Sequence, residues 1–553
     1  MNPQTDNLIQ RLFARHSAGL LPLVMLGVLT GVAASLVMMS FLFVLNGTLG
    51  SLNGKNLEDF ESLAWYWQLG LPLAGSLLLI LLYRLTPAAS QTVGLAYVLE
   101  RLQFGQGRIP AANIGFQFVA ALIALGSGHS VGREGPTVLL GAGIASQVGQ
   151  LAGRPPSQLR LLLGCGTAAA ISAAFNTPLA GVLFAMEVVL MEYSLLGFAP
   201  IIAAAITASA LTSGLLGEHA ILEPVSLSLA SYQDIPGLLV TGLWIGLLAA
   251  LFQRLVLMFV RLPVKSRAAR LLLAGAITGV LALAVPQILG SGYDTINLTL
   301  SNGVPWLLLL GILVAKLLAT AAAIGLGVPG GQIAPTLMLG VCAGGVAGAL
   351  IPGTSDPGLY ALLGMAAMMS AVLHAPLAAI ATVLELSLSA EAMLPAMVVV
   401  LGANLLCQHG FHLPSLVITQ LRVRGQELQT HPVRTALAQR YLSELADMSL
   451  VEWDGKSALP NTQAAALILK HEQDYYLLTA SQQHEGITTE QLETLLTPAR
   501  RLQVLERDMS LLEALRSLQG DASAGFLVPV RRGRGLVTRS RLVRMLTEEG
   551  GLY

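Results

Sequence analysis

The chain has 553 residues, of which 54% are hydrophobic and 11% are charged, and its formal net charge is zero. A composition this apolar is typical of a polytopic membrane protein, and the balanced charge gives no indication of a nucleic-acid partner. The cysteines lie in apolar segments without CxxC or metal-ligand spacing. We therefore expect small buried residues rather than disulfides or metal ligands at Cys165, Cys342 and Cys407.

The chain divides by hydropathy into three regions. Residues 1–17 are polar, carry Arg11 and Arg15 ahead of the first apolar segment, and lack the pattern of a removable signal peptide. Residues 18–425 contain successive apolar segments of about 20 residues, which is the length of a membrane-spanning helix. Residues 426–553 return to a soluble composition. Basic residues in the loops predict that both termini are cytoplasmic.

A carboxylate between two glycines interrupts the apolar stretch from Gln117 to Gln147, in the motif Gly132-Arg133-Glu134-Gly135-Pro136. An ionisable residue at membrane depth is costly and by default marks an ion or proton path. The glycines permit tight turns, and Pro136 suits the first turn of a helix. Because a helix N-terminus attracts anions, we predict that Glu134 occupies an anion site when ionised and leaves it when protonated. Glu134 would then be a gate.

The membrane region repeats itself at an offset of 198 to 200 residues, which divides it into halves at about 18–217 and 233–410. The segment 136–141 recurs at 335–340, and Pro178, nine residues before Glu187, recurs as Pro376, nine residues before Glu385. Transporters built from such repeats hold ions where broken helices meet near the midplane of the membrane. We therefore predict that helix starts from both halves form one anion site from main chain.

These motifs, together with 176–181 and 327–335, resemble those of the CLC family of chloride channels and chloride/proton antiporters over about residues 18–425. The resemblance, which is to a bacterial member, implies an all-α membrane fold of inverted repeats, with broken helices meeting at an anion site, and a homodimer with one pore per subunit. It also implies a location in the inner membrane of a bacterium. By position, Glu134 resembles the external gating glutamate of the family. The resemblance also implies anion-binding roles for Arg133, Gly135, Gln332, Ile333 and Ala334, although relatives usually have Phe at position 333.

The first anion motif of the family, Gly-Ser-Gly-Ile-Pro, appears here only as Ala89-Ser90-Gln91-Thr92-Val93. Ser90 matches the hydroxyl that contacts the central anion, and a serine resembles the chloride-type members. Alternatively, Ser90 is only an N-cap for the helical stretch from Gly94 to Leu102.

Two further positions depart from the family pattern. The tyrosine that closes the inner side of the pore aligns with Val417, so we expect a weaker inner constriction with one donor fewer. The carboxylate that passes protons to the cytoplasm in coupled exchangers is replaced by Val188. The neighbouring Glu187 is a proton-path candidate, but a place in a buried polar network is the favoured interpretation.

His129 is a second proton-path candidate, because it precedes Glu134 by five residues and histidine titrates near neutral pH. We place it at the outer mouth, although a lone histidine is more often structural. Gln117 stands where many relatives carry Lys, and a neutral residue there lowers the positive potential along the anion path.

The soluble tail resembles a CBS module over residues 497–548, with a degenerate partner at about 440–496. Apolar strands are predicted at 464–469, 475–478 and 526–530, which with short helices indicates an α/β domain. CBS pairs often dimerise and bind adenine nucleotides in some relatives. The ligand-contact signatures are not evident in this tail, so a nucleotide site and a purely structural role both stay open.

The replacements at 188 and 417 favour a channel-like or weakly coupled chloride pathway, and chloride/proton antiport through Glu134 is the alternative. An intramembrane enzyme is disfavoured, because the chain has no HExxH and no Gly-x-Gly-Asp motif. A cation transporter is disfavoured because Glu134 adjoins helix starts and Arg133. We expect no cofactor and no metal, and the expected partners are chloride, protons in the antiport alternative, the lipid bilayer and a second copy of the chain.

Overall fold

A computed structural model of the chain describes fourteen segments, to which all structural statements refer: 20–53, 59–193, 195–217, 227–301, 303–353, 355–387, 390–426, 441–453, 466–471, 474–478, 500–505, 509–518, 523–530 and 533–542. The predicted N-terminal region with Arg11 and Arg15, and much of the predicted first tail module, lie outside these segments. The chain forms two compact units, one comprising Met1–Arg154 and Gln158–Leu428, the other Pro155–Ser157 and Gln429–Tyr553.

The regular elements described in the first unit are helices, in agreement with the predicted fold class. Helices suit a membrane because a helix satisfies its own backbone hydrogen bonds in lipid. Eight of its described helices are long and apolar enough to cross a membrane. The α-helices in chain order are α1 (Leu20–Asn53), α2 (Trp65–Leu85), α3 (Leu95–Gln103), α4 (Ala111–Gly126), α5 (Glu134–Leu151), α6 (Pro156–Phe175), α7 (Pro178–Phe184), α8 (Leu195–Leu216), α9 (Ile235–Val260), α10 (Arg267–Ala282), α11 (Tyr293–Leu300), α12 (Trp306–Leu326), α13 (Ile333–Leu350), α14 (Pro357–Leu373), α15 (Pro376–Ser387), α16 (Met393–Asn404) and α17 (Leu416–Val423).

The internal repeat is visible in the order of these helices. Helices α2 to α8 correspond one by one to α10 to α16, and the paired helices start 195 to 202 residues apart. Backbone details repeat as well: Gly94 and Gly292 precede α3 and α11 with φ angles of 87° and 86°. A positive φ favours glycine, so each half places a glycine before the corresponding helix, although the ψ angles of 178° and 24° differ.

Glycines bring the helices behind the two motifs close together. A Cβ atom on Gly141 of α5 would collide with the carbonyl oxygen of Gly166 in α6, and one on Gly340 of α13 would collide with that of Gly364 in α14. Each half therefore holds its motif helix backbone to backbone against the next helix. The cysteines at 165, 342 and 407 are buried and free, as the sequence predicts.

The second unit contains a six-stranded sheet whose strands lie side by side in chain order: β1 (Leu450–Trp453), β2 (Ala466–His471), β3 (Asp474–Leu478), β4 (Arg501–Val504), β5 (Gly525–Val530) and β6 (Gly533–Thr538). A helix, α18 (Leu511–Leu518), separates β4 from β5 in the sequence. The pairs β1–β2 and β4–β5 are parallel and the other three are antiparallel. The same pattern thus occurs twice in a small α/β domain, which is consistent with the predicted CBS-like tail.

In this second unit Asp447 joins the chain ahead of β1 to strand β6. Its backbone exchanges two hydrogen bonds with Leu536, at 2.8 and 2.9 Å. The hydroxyl of Ser449 donates to the carboxylate at 2.7 Å and Arg541 lies 3.2 Å from it. The Ser449 hydroxyl first, then the Ser449 N–H and Arg541, lower the pKa of Asp447, because each stabilises the charged form.

Candidate functional site

The two predicted helix starts meet. The N–H of Gly132 donates to the carbonyl of Gly331 at 2.7 Å, and the N–H of Gly331 donates to the carbonyl of Gly132 at 2.6 Å. This pair of bonds joins the segment before α5 to the segment before α13. A Cβ on Gly135 would lie 2.7 Å from the Cα of Gly331, so a glycine is required for the approach. The repeat therefore brings two positive helix ends to one place, as the sequence predicts.

The carboxylate of Glu134 lies at the N-terminus of α13, although Glu134 itself begins α5. One oxygen, Oε2, accepts a hydrogen bond from the N–H of Ala334 at 2.9 Å. The other, Oε1, accepts one from the hydroxyl of Tyr293. Only 1% of Glu134 is exposed. A buried carboxylate thus fills the position where the free N–H groups of a helix start would otherwise attract an anion.

Arg133 contributes a positive charge beside this carboxylate without an ion pair to it in the described part of the chain. Its guanidinium lies over the ring of Tyr293, 4.8 Å from the centroid, and 5.6 Å from that of Phe175. The two rings also contact each other, with centroids 6.2 Å apart. The arginine is 8% exposed, so its charge is held close to the site by aromatic faces rather than by acids.

Tyr293 is a site residue that the sequence analysis missed. It opens α11, directly after Gly292, which is the repeat counterpart of Gly94. The repeat offset could have located Tyr293. Adding 198 to Gly94, at the helix start that follows the first anion motif, gives Gly292, which directly precedes Tyr293.

A buried lysine supports the segment that leads to Tyr293. Lys316 of α12 has no exposed surface, and its Nζ donates to the carbonyls of Ile288 and Gly290 at 2.9 and 2.8 Å. A cation inside a membrane protein requires such partners, because burying it without them is costly. Lys316 thereby fixes the turn that precedes α11, and the sequence analysis did not identify it.

A cavity of about 550 Å³ opens beside the meeting point of the helix starts. Its wall includes the residues that begin three helices: Val93 and Gly94 ahead of α3, Gly135 in α5, and Gly331 to Ile333 at α13. Four basic residues complete much of the remaining wall, namely Lys265, Arg267, Arg270 and Arg424. Helix starts and cations together give the cavity a positive potential, which suits an anion.

The structure places Ser90 differently from the expectation. Ser90 ends a short 3₁₀ helix (Ala88–Ser90) and is not among the residues that line the cavity. The residues that meet the cavity at the start of α3 are Val93 and Gly94, three and four positions later. The alternative that Ser90 caps α3 is not seen either, because Gly94 is the N-cap. Main chain at 93–94 thus meets the cavity at the start of α3, and the anion contact expected of Ser90 stays a prediction.

Val417 also lies elsewhere than expected. It is 1% exposed in α17 and does not line the cavity. Gln420, one turn further along α17, does line it, and its Nε2 donates to Oε1 of Gln332 at 3.1 Å. A carboxamide pair, Gln420 and Gln332, thus lies in the cavity wall beside α17, and the weaker constriction expected at Val417 stays a prediction.

Glu187 and Glu385 hold the two repeats together by capping each other's helices. The carboxylate of Glu187 accepts from the N–H groups of Leu377 and Ala378, at 3.0 and 2.8 Å, at the start of α15. The carboxylate of Glu385 accepts from those of Leu179 and Ala180, both at 2.8 Å, at the start of α7. This arrangement agrees with the favoured interpretation of Glu187, a place in a polar network. Neither acid contacts Glu134 among the described hydrogen bonds.

His129 is fully buried rather than exposed at an outer mouth. Its Nε2 lies 3.3 Å from the hydroxyl of Ser76 in α2, and that hydroxyl also donates to the carbonyl of Leu271. No described hydrogen bond links it to Glu134. The described side-chain hydrogen bond of His129 is thus to Ser76 of α2, and its part in a proton path stays a prediction.

Comparison with known proteins agrees with this architecture. A family model described as voltage gated chloride channel matches residues 74–408. A ClcB-like chloride channel protein of Ralstonia nicotianae is 32% identical over 352 residues, covering 61% of this chain and 81% of the relative. The H(+)/Cl(-) exchange transporter ClcA of Citrobacter koseri is 34% identical over 307 residues, covering 53% of this chain and 65% of the relative.

A solved structure has the same fold. The crystal structure of a slow cyanobacterial Cl⁻/H⁺ antiporter superposes with a TM-score of 0.63 at 21% identity, covering 72% of this chain and 97% of that one. The family model spans more than half of the 553 residues, and the apolar helices account for most of the matched region. The chain is therefore a membrane protein and belongs to the CLC family.

Proposed function

We propose that this protein exchanges chloride for protons across a membrane, with Glu134 as the group that carries the proton and competes with the anion. The observation that carries the proposal is the position of the Glu134 carboxylate, which accepts the N–H of Ala334 at the start of α13. A carboxylate in that position excludes an anion by charge and by volume. Protonation removes the charge, and the helix starts of both halves are then open to chloride.

The cavity supplies the anion to this site. Its basic residues and helix starts raise the local concentration of small anions, and its wall reaches Gly135 and Ile333, which flank Glu134 and Ala334. Chloride that advances from the cavity to the start of α13 meets the carboxylate. The exchange then consists of alternate occupation of one position by chloride and by the charged side chain, with one proton bound each time the side chain leaves.

The ClcA relative, named as an exchange transporter, supports antiport over the channel-like pathway that the sequence analysis favoured. One observation favours the uncoupled candidate: position 188, where coupled relatives carry a second acid, holds a valine that is 2% exposed. In that case Glu134 acts only as a lid, and chloride crosses without protons.

Flux measurements in proteoliposomes distinguish the two candidates. With a chloride gradient imposed and the membrane potential clamped, we expect the full-length protein to move protons against their own gradient. Glu134→Gln should abolish proton movement while chloride flux remains. Glu391→Gln, which alters an exposed acid, is the matched control and should behave as the wild type. Chloride flux without proton movement in the wild type would overturn the antiport proposal.

A further inference from the structure

Two glutamines in the wall of the cavity have buried amide nitrogens without a hydrogen-bond partner in the described part of the chain. They are Gln117 of α4, which has no exposed surface, and Gln332, the N-cap of α13, which is 6% exposed. In both cases Nε2 is the unpaired atom. One comes from each half of the repeat, and both line the cavity onto which the helix starts open.

The amide of Gln117 is fixed by its other end. Its Oε1 accepts a hydrogen bond from the N–H of Gly94 at 2.9 Å, at the start of α3. Because an N–H group bonds to the oxygen of a carboxamide and not to its nitrogen, this contact determines which way the amide is turned. The two N–H groups of Nε2 are left as donors.

Gln332 is held by a second carboxamide rather than by main chain. Its Oε1 accepts from Nε2 of Gln420 at 3.1 Å, which leaves the Nε2 of Gln332 unpaired at the start of α13. This position adjoins Ile333 and Ala334, whose main chain forms the predicted anion site. Gln420 therefore acts as a positioning residue for Gln332.

Other glutamines of the same unit show that unpaired nitrogens are not general. The Nε2 of Gln91 donates to the carbonyls of Tyr83 and Thr86, each at 2.7 Å, and that of Gln147 donates to the carbonyl of Ile109 at 2.6 Å. A buried donor left without an acceptor costs about 1–3 kcal/mol. Two such unsatisfied donors at one cavity are explained if a ligand that binds in the cavity accepts their hydrogen bonds.

We propose that Gln117 and Gln332 are specificity-determining residues whose side-chain N–H groups donate to a small anion in the cavity. Their four N–H groups belong to neutral carboxamides, which do not titrate, so they can donate hydrogen bonds at every pH. The carboxylate of Glu134, by contrast, changes its charge with protonation. Nitrate presents three acceptor oxygens, whereas chloride is a single sphere, so the extra donors favour nitrate relative to chloride. The proposal rests on the anion site of the proposed function but not on its proton coupling.

Calorimetric titration of the purified full-length protein with sodium nitrate and with sodium chloride tests this inference. Methionine has nearly the volume of glutamine and no N–H donor. For Gln117→Met and Gln332→Met we expect nitrate affinity to fall at least about tenfold, as loss of a hydrogen bond to a charged ligand predicts. Chloride affinity should fall by less, so the nitrate-to-chloride affinity ratio should decrease. The control Gln147→Met lies outside the cavity wall and should stay within twofold for both anions.

A second variant covers the case in which a methionine disturbs the fold. Gln117→Glu keeps the acceptor for the N–H of Gly94 but replaces both donors by an acceptor, so nitrate binding at neutral pH should be lost. An unchanged nitrate-to-chloride affinity ratio in the folded variants would overturn the inference. Proton movement measured on the same wild-type protein reports separately on the proposed function, so the failure of one leaves the other standing.

Discussion

Removal of the hydroxyl of Tyr293 tests the competition between the side chain of Glu134 and an anion. The carboxylate is held at the start of α13 by two described hydrogen bonds, one from Tyr293 and one from the N–H of Ala334. Tyr293→Phe removes the first and keeps the ring, so the contacts of that ring with Arg133 and Phe175 are preserved. The change therefore removes the hydrogen bond to the carboxylate and leaves these ring contacts in place.

The expected magnitude follows from the charge on the acceptor. A hydrogen bond to a charged group contributes about 1.5–3 kcal/mol, and 1.4 kcal/mol corresponds to about a factor of ten in affinity. Loss of the hydroxyl should weaken the hold on the carboxylate by at least about tenfold. Chloride then displaces the side chain more easily, so its apparent dissociation constant at neutral pH should fall by about the same factor.

Calorimetric titration of the purified protein with chloride measures this change, and chloride flux in proteoliposomes gives an independent value. Tyr360→Phe is the matched control, because the hydroxyl of Tyr360 is buried without a described partner. We expect chloride binding by the control to match the wild type. Unchanged or weaker chloride binding by Tyr293→Phe would show that the carboxylate does not compete with the anion at this position.

Three further predictions test the supports of the site and the tail. Glu187→Gln and Glu385→Gln should each lower the free energy of unfolding by about 1–3 kcal/mol, and by similar amounts, because each carboxylate caps one helix of the other repeat; thermal melting in detergent measures this. Lys316→Met should lower the free energy of unfolding by at least as much, because two buried carbonyls lose their donor. The control Lys265→Met, at an exposed position, should change it by less than about 0.5 kcal/mol. In the tail, the lowered pKa of Asp447 stabilises the fold above the ordinary value of 3.8, and this stability is lost as the pH falls through the folded value. Asp447→Asn should therefore speed hydrogen exchange of β6 at pH 7, and the difference from wild type should shrink below pH 4.

The sequence alone determined the features that are encoded locally. Long apolar segments predict spanning helices because lipid leaves the backbone no other partner. Glycine and proline mark where α5 and α13 begin, and the constant offset between the halves predicts that these starts form one site. The carboxylate of Glu134 at a helix start, the buried cysteines and the strands of the tail follow from the same kind of local pattern.

The contacts between the halves depended on tertiary structure. Tyr293 and Glu134 are 159 positions apart, and Glu187 lies 191 positions from the N–H of Ala378 that it caps. Position along the chain does not specify which face of a helix turns inward. Val417 is buried, whereas Gln420, three residues later on the same helix, meets the cavity.

The same limit applies to Ser90 and to Gln117. A motif match located the stretch before α3 but not the residue at which the helix begins. That start is set by Gly94, whose φ angle is 87°, and by the amide of Gln117 that accepts its N–H. Side chains supplied from distant helices complete the site, because a helix start exposes donors that its own turn cannot satisfy. Only packing brings such partners within hydrogen-bonding distance, so the tertiary structure decided the identity of the groups around Glu134, while the sequence decided which helix starts would meet there.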